Sequence, residues 1–481
     1  MMSLCLSALL SALDLTIVTP AIPAIVGSLK SAAGYTWVGS AYTLAYAAIT
    51  PVWGSVSDIW GRKPIMLIAV AIFLLGSLVC AFAPKMDVLI VGRAIQGLGD
   101  PGIVGDGVSG SIVGPSTSCD DPELTQPIVP VGAVSFLVLL FFLRVQNPRT
   151  PIAAGLKVID WTGSVLIVGG ALMILLALEF GDIVYSWSSA TVICLLIFEA
   201  AVMTLFVVNE WKIAKNPILP LWLFSSPTNA APYVVFACNS YVFIGQAFYL
   251  PLYAQSVLGA TALMSGLYLL PLIVSCALAA AAAGISMQRT GKYFPVMYIA
   301  QRLLVLGSGL LIGLNFESNI TKLIIFQILV GVGMIIEAPI LAAQSATTLT
   351  TAISVVVGGV VFQNEMNAKN GELAIQLGSN SSLASIFNGD SAASRVTEIR
   401  TVGLNADLQV LVRTTYFESL KMVWIMYVAF AGLATILNLF VQARKLPSEN
   451  EGAVLGVDRS RQEGSPTNGT ADMDLQSDQH D

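Results

Sequence analysis

Charge is what this 481-residue chain has least of: Asp, Glu, Lys and Arg together make up 11%, where soluble domains carry about 25%. Apolar residues reach 56% and the mean hydropathy is +0.79. An ordinary soluble domain is therefore excluded, and a chain crossing a bilayer many times is indicated. Histidine is almost missing: the single one, His480, sits in a polar tail, which argues against zinc sites and His-dependent hydrolases. Six cysteines (Cys5, Cys80, Cys119, Cys194, Cys238, Cys276) are widely spaced, all but Cys119 inside apolar runs, so neither a disulfide framework nor a metal site is expected. No Gly-x-x-x-x-Gly-Lys-Ser/Thr phosphate loop occurs, which argues against drive by ATP.

An excess of positive charge is lacking too. After Pro447, eight acidic residues face only Arg459 and Arg461, and this difference accounts for the whole net charge of -6. Residues 1–446 are neutral, no basic surface for nucleic acid exists, and 447–481 reads as a disordered acidic cytosolic tail.

What the chain does have is apolar runs long enough to cross about 30 Å of hydrocarbon. They lie near 4–27, 36–57, 64–83, 86–106, 126–143, 160–180, 189–209, 231–254, 262–286, 293–314, 321–343, 346–363 and 417–441. Each is expected to be a helix, the segment type that satisfies its own backbone in lipid. No cleaved leader is expected, because Asp14 interrupts the first run and no basic stretch precedes it. Arg62-Lys63, Arg144, Arg149, Lys157, Lys212, Lys215, Arg289, Lys292 and Arg444-Lys445 mark cytosolic loops. Both termini then lie in the cytosol, and a polar loop over 364–415 lies outside. It holds the glycosylation sequon at Asn380; a second, at Asn319, also falls outside but close to the membrane.

One interval breaks the count. Spans 86–106 and 126–143 both run inward, yet 107–125, with Gly114-Pro115 and Asp120-Asp121-Pro122-Glu123, is a poor return helix. The expected organisation is an N-terminal helical bundle over 1–143, incomplete around 107–125. Linkers and two extra helices follow over 144–230, then a C-terminal bundle over 231–446.

Between the second and third spans stands Gly54-Ser-Val-Ser-Asp58-Ile-Trp-Gly61-Arg62-Lys63. Its glycines permit close helix approach and a tight turn, and Asp58 can accept from a helix N-terminus or an arginine. This segment resembles the Gly-x-x-x-Asp-x-x-Gly-Arg-Lys signature of the major facilitator superfamily. Leu13-Asp14-Leu-Thr16 through Pro23, and Arg93-Ala-Ile-Gln96-Gly97-Leu-Gly99, resemble the first- and fourth-helix motifs of its fourteen-helix drug:proton antiporters. Trp37, Tyr42, Asp160-Trp161-Thr-Gly163 and Tyr249-Leu-Pro251-Leu-Tyr253-Ala-Gln255 fit the fungal branch. Of the fifth-helix antiporter motif only Gly110, Gly114 and Pro115 remain before the chain turns polar, and 343–352 is short as well. Thirteen apolar runs and one remnant are what a fourteen-helix ancestor leaves after losing segments.

The resemblance implies an all-α polytopic membrane protein of about 12–14 spans: two pseudo-symmetric bundles, two extra central helices and a truncated fifth helix. It implies a proton-driven efflux transporter at the plasma membrane, exporting a drug, toxin or fungal secondary metabolite. No cofactor, metal or obligate protein partner is expected. Ionisable residues inside spans are costly and so functional candidates. Asp14, Arg93 and Glu337 are assigned to proton coupling; Arg93 keeps its charge at accessible pH and so acts on a nearby carboxylate. Gly54, Asp58, Gly61, Arg62 and Lys63 form the gate. Trp37, Tyr42, Gln96, Tyr249, Tyr253 and Gln255 are candidates for a substrate cavity, with packing and interfacial anchoring as the alternative for the aromatics. Glu199, on an extra helix, is a weaker candidate, and Asp182 and Glu210 are expected simply to meet water. An importer of the same fold and a non-transporting pseudo-transporter remain open; a membrane enzyme lacks a nucleophile constellation.

Overall fold

A computed structural model describes residues 34–107, 159–181, 185–214, 226–290, 294–314, 320–334, 344–377 and 406–441, with positions 217, 387, 392, 393, 395, 396 and 399. The apolar runs within these limits are helices: α1 (Gly34–Trp60), α2 (Arg62–Ala81), α3 (Met86–Gly107), α4 (Trp161–Phe180), α5 (Ala190–Val208), α6 (Pro227–Ser256), α7 (Ala262–Thr290), α8 (Phe294–Ile312), α9 (Ile320–Gly333), α10 (Gln344–Leu377) and α11 (Ala406–Asn438). Spans 4–27 and 126–143, and the interval beyond Gly107, lie outside the described residues.

Local chemistry sets several ends. Asp160 caps α4 by accepting from the Gly163 amide at 2.9 Å, and Ser189 caps α5 by accepting from Val192. Between α1 and α2 only Gly61 is non-helical. Its φ of 89° suits a residue without a Cβ, and its N–H donates to the Ser57 carbonyl at 2.9 Å. The 54–63 motif is thus the last turns of one helix and the start of the next, rather than an extended loop.

Seven of the described helices (α2, α4, α5, α6, α7, α8, α11) are long and apolar enough to cross a membrane. Helices α1, α3 and α10 are long but more polar, and α1 packs on both α3 and α10. Helices α1–α3 pack together as an N-terminal half and α6–α11 as a C-terminal half, while α4 rests on both α1 and α10 and α5 packs on α4. Val38 of α1 is fully buried in the core that contains α6 and α11. Farther along α1, Leu44 and Ala47 meet Leu175 of α4 and Ile353 of α10. Among the described residues, α1 therefore touches the N-terminal half, α4 and the C-terminal half.

Two expectations are corrected. The polar stretch 364–415 is not a loop throughout: α10 continues to Leu377 and α11 begins at Ala406. Both extensions are amphipathic, burying Met366, Leu373 and Leu377 with Val412 and Tyr416 and with Phe387 and Val396 of the connection. Glu210, expected at a water-exposed span end, is only 6% exposed. It sits on a π-helical turn, Asn209–Ile213, beside Gly163, where an added Cβ would come within 2.7 Å of its Oε1.

Candidate functional site

The α1–α3 contact begins with glycines. A Cβ at Gly97 would collide with the Tyr42 carbonyl, and one at Gly99 would come within 2.6 Å of the Ala69 carbonyl and the Phe73 amide. Small residues at these positions draw α3 tightly between α1 and α2. Arg93, Gln96 and Asp100, spaced i, i+3 and i+7, then share one face of α3, and all three are buried, at 5%, 0% and 2% exposure.

They form a polar network inside the bundle. Arg93 Nε donates to the Val38 carbonyl at 3.3 Å and its Nη1 to Gln96 Oε1 at 2.9 Å. The guanidinium lies over the Tyr42 ring, 4.4 Å from the centroid, a geometry stabilised by the ring quadrupole. Gln96 Nε2 donates to Ser77 Oγ of α2 at 2.8 Å, and Ser77 donates in turn to the Phe73 carbonyl. The Tyr42 hydroxyl donates to Asp100 Oδ2 at 2.5 Å, and Tyr46 stacks on Tyr42 at 6.2 Å. The network can hold charge inside the membrane, and it ties α3 to the helix that contacts the other half.

Of the residues singled out from sequence, Arg93, Gln96 and Tyr42 are brought together. Tyr42 carries a hydrogen bond and a cation. Trp37 packs on Phe180 of α4 at 5.9 Å. Tyr249 donates to the Val355 carbonyl, Tyr253 is fully buried beside Phe417, and Gln255 Nε2 donates to Ser265 Oγ at 2.9 Å. These three knit the C-terminal half and do not converge with the first group. Gly54 and Asp58 fall in the last turns of α1, and Arg62 and Lys63 open α2; the side chains of Asp58 and Arg62 lie outside the described residues. So do Asp14, Glu337, Gly110, Gly114, Pro115, Asn319 and Asn380.

The sequence reading missed Asp100 and Ser77. For Asp100 the signal was present: it is an ionisable residue inside a span, next to the motif that ends at Gly99. It also missed the buried pairs of the C-terminal half, Gln246 with Ser308 at 2.8 Å and Asn239 with Gln301 at 3.1 Å. Among the described residues no group of three or more His, Cys, Asp or Glu is placed to hold a metal ion.

The family model described as Major Facilitator Superfamily matches residues 4–105. The efflux pump dotC of Dothistroma septosporum (strain NZE10) is 38% identical over 515 residues, covering 96% of this chain and 87% of that protein. The MFS-type transporter ppz2 of Metarhizium majus is 38% identical over 508 residues, covering 95% and 86%. Since 96% of 481 residues is about 462, about 53 positions of the 515-residue dotC alignment have no counterpart in this chain. Among solved structures, the human organic anion transporter MFSD10 (TETRAN) aligns with 91% of this chain and 98% of its own at 13% identity and a TM-score of 0.49. The relatives are transporters, not enzymes, and their likeness runs through both halves and the helices between them. On the sequence relatives, this multi-pass membrane protein belongs to the major facilitator superfamily, in the group formed by these fungal transporters.

Proposed function

We propose that the chain is a proton-coupled exporter of small organic compounds, working by alternating access between its two halves. The observation that carries this is the buried Arg93–Tyr42–Asp100 network, which ties α3 to α1, the helix that also packs against the C-terminal half. A permanent cation and a carboxyl buried on opposite sides of one tyrosine are costly, and they are useful where a proton must change the contact between moving parts. Relatives named efflux pumps support the direction, and the missing phosphate loop supports a gradient as the energy source. Asp14 and Glu337 are the further proton-coupling candidates, and the 54–63 segment is the gate. The proposed setting is the plasma membrane with both termini cytosolic, glycan at Asn380 and no cofactor.

The test is whole-cell retention of rhodamine 6G in a yeast strain stripped of its own pumps. Cells expressing the chain should retain less dye than empty-vector cells, and a protonophore should abolish the difference. Greater retention would indicate uptake instead of export.

A second reading is a transporter-like protein without flux, favoured by the roughly 53 dotC positions absent here. Sequencing the transcript across the codons for Gly99–Pro127 and Ala342–Ala352 separates the two. Additional coding sequence there restores an ordinary fourteen-helix exporter; an unchanged transcript with unchanged dye retention leaves the second reading.

A further inference from the structure

We propose that Asp100 is a proton-binding group of the N-terminal half, taking up and releasing one proton against the Tyr42 hydroxyl and transmitting that change to α1. The inference rests on the proton-coupled reading above and assigns the proton itself to one member of the network that carries it.

Three observations support it. Asp100 is 2% exposed in the second half of a membrane helix, where a carboxyl costs a few kcal/mol. A hydrogen bond alone would be met more cheaply by Asn or Ser, so an ionisable group at this depth asks for a use. Its partner is well chosen: the Tyr42 O–H reaches Oδ2 at 2.5 Å and can donate to the ionised carboxylate or to the carbonyl oxygen of the neutral acid. The first bond is charge-assisted and the second is not, so uptake of a proton weakens the link between α3 and α1. The position also suits movement. Pro101 follows inside the helix and removes the N–H that would bond the Gly97 carbonyl, a weak point at which helices bend.

The surrounding groups are few. Among the described residues, α1 contributes Tyr42 and also Tyr46, which lies within electrostatic reach of Asp100. On α3 itself Arg93 stands two turns away, about 10 Å along the axis, connected through the Tyr42 ring. Helix α2 offers Ser77 and Cys80 at the level of Gln96, while nearer Tyr42 it packs apolar Met66, Ala69, Val70 and Phe73. The step itself is a proton exchange: the carboxylate takes a proton from water on one side and returns it to water on the other, with no electron transfer. Because α1 carries Tyr42 between Val38, buried in the C-terminal core, and Ala47, packed with α4 and α10, loosening at Asp100 reaches the contact between the halves.

The test is infrared difference spectroscopy of the full chain in lipid nanodiscs, titrated with acid. The wild-type spectrum minus that of Asp100→Asn should contain a carboxylic C=O band; absence of any carboxyl band in the difference overturns the proposal. If Asp100→Asn fails to fold, Tyr42→Phe decides: loss of the donor should displace the band, and an unchanged spectrum overturns the proposal.

A flux assay in proteoliposomes, with ethidium as probe, separates this inference from the reading beneath it. Wild type should move protons against ethidium, and Asp100→Asn should keep ethidium counterflow but lose proton release. Equal proton release by both removes Asp100 while leaving coupling intact. No ethidium-linked proton movement in wild type removes coupling, and the inference with it.

Discussion

The Arg93 guanidinium rests on the face of the Tyr42 ring at 4.4 Å, so a membrane-buried cation on α3 is held by a residue of α1. The same arginine donates to the Val38 backbone and to Gln96. Three contacts converge on one planar group, and a lysine cannot reproduce them together.

Arg93→Lys is accordingly expected to lower dye export about tenfold or more, from loss of a desolvated cation–π contact worth about 2 kcal/mol. Membrane abundance should stay close to wild type. Fluorescence size-exclusion and the retention assay read the two quantities separately.

Gly97→Val should destabilise the protein by about 1–3 kcal/mol, since its Cβ runs into the Tyr42 carbonyl. Gly284→Ala is the control: nothing lies within 4 Å of its added Cβ, so thermal unfolding in detergent should be unchanged or slightly later. Equal melting of Gly97→Val and wild type would contradict the tight α1–α3 contact.

Asp160 serves two partners at once, the Gly163 amide and Asn209 Nδ2 at 2.8 Å. Asp160→Ala removes a cap worth about 1 kcal/mol and leaves a buried amide unpaired at about 1–3 kcal/mol. The expected result is earlier melting, with Asp160→Asn intermediate because its one carbonyl oxygen can serve only one partner fully.

These sites show where sequence is and is not legible. Helices α2, α4, α5 and α8 fall close to their expected limits because a lipid-facing helix must be apolar around its circumference, and hydropathy reads that directly. The continuation of α10 to Leu377 escaped because Met366, Leu373 and Leu377 are apolar on one face only. Arg93 and Gln96 were found through a local motif. The role of Tyr42 was not, since its bond to Asp100 joins residues 58 positions apart and exists only once α1 and α3 pack. Glu210 looked exposed for the same reason: Asp160, which binds its neighbour Asn209, is remote in sequence.

Asn380 stands between α10 and α11, in the connection expected outside the cell. Glycosidase treatment should increase the gel mobility of wild type and leave an Asn380→Gln variant unshifted. An identical shift in both would assign the sugar to Asn319 or reverse the orientation.

The most direct measurement is paired flux in inside-out plasma-membrane vesicles acidified by the host proton pump. With this chain present, ethidium should accumulate inside while the lumen turns more alkaline, and collapsing the pH gradient with nigericin should stop both. Ethidium accumulation that persists after nigericin, or a lumen that stays acid while ethidium enters, would contradict proton-coupled export.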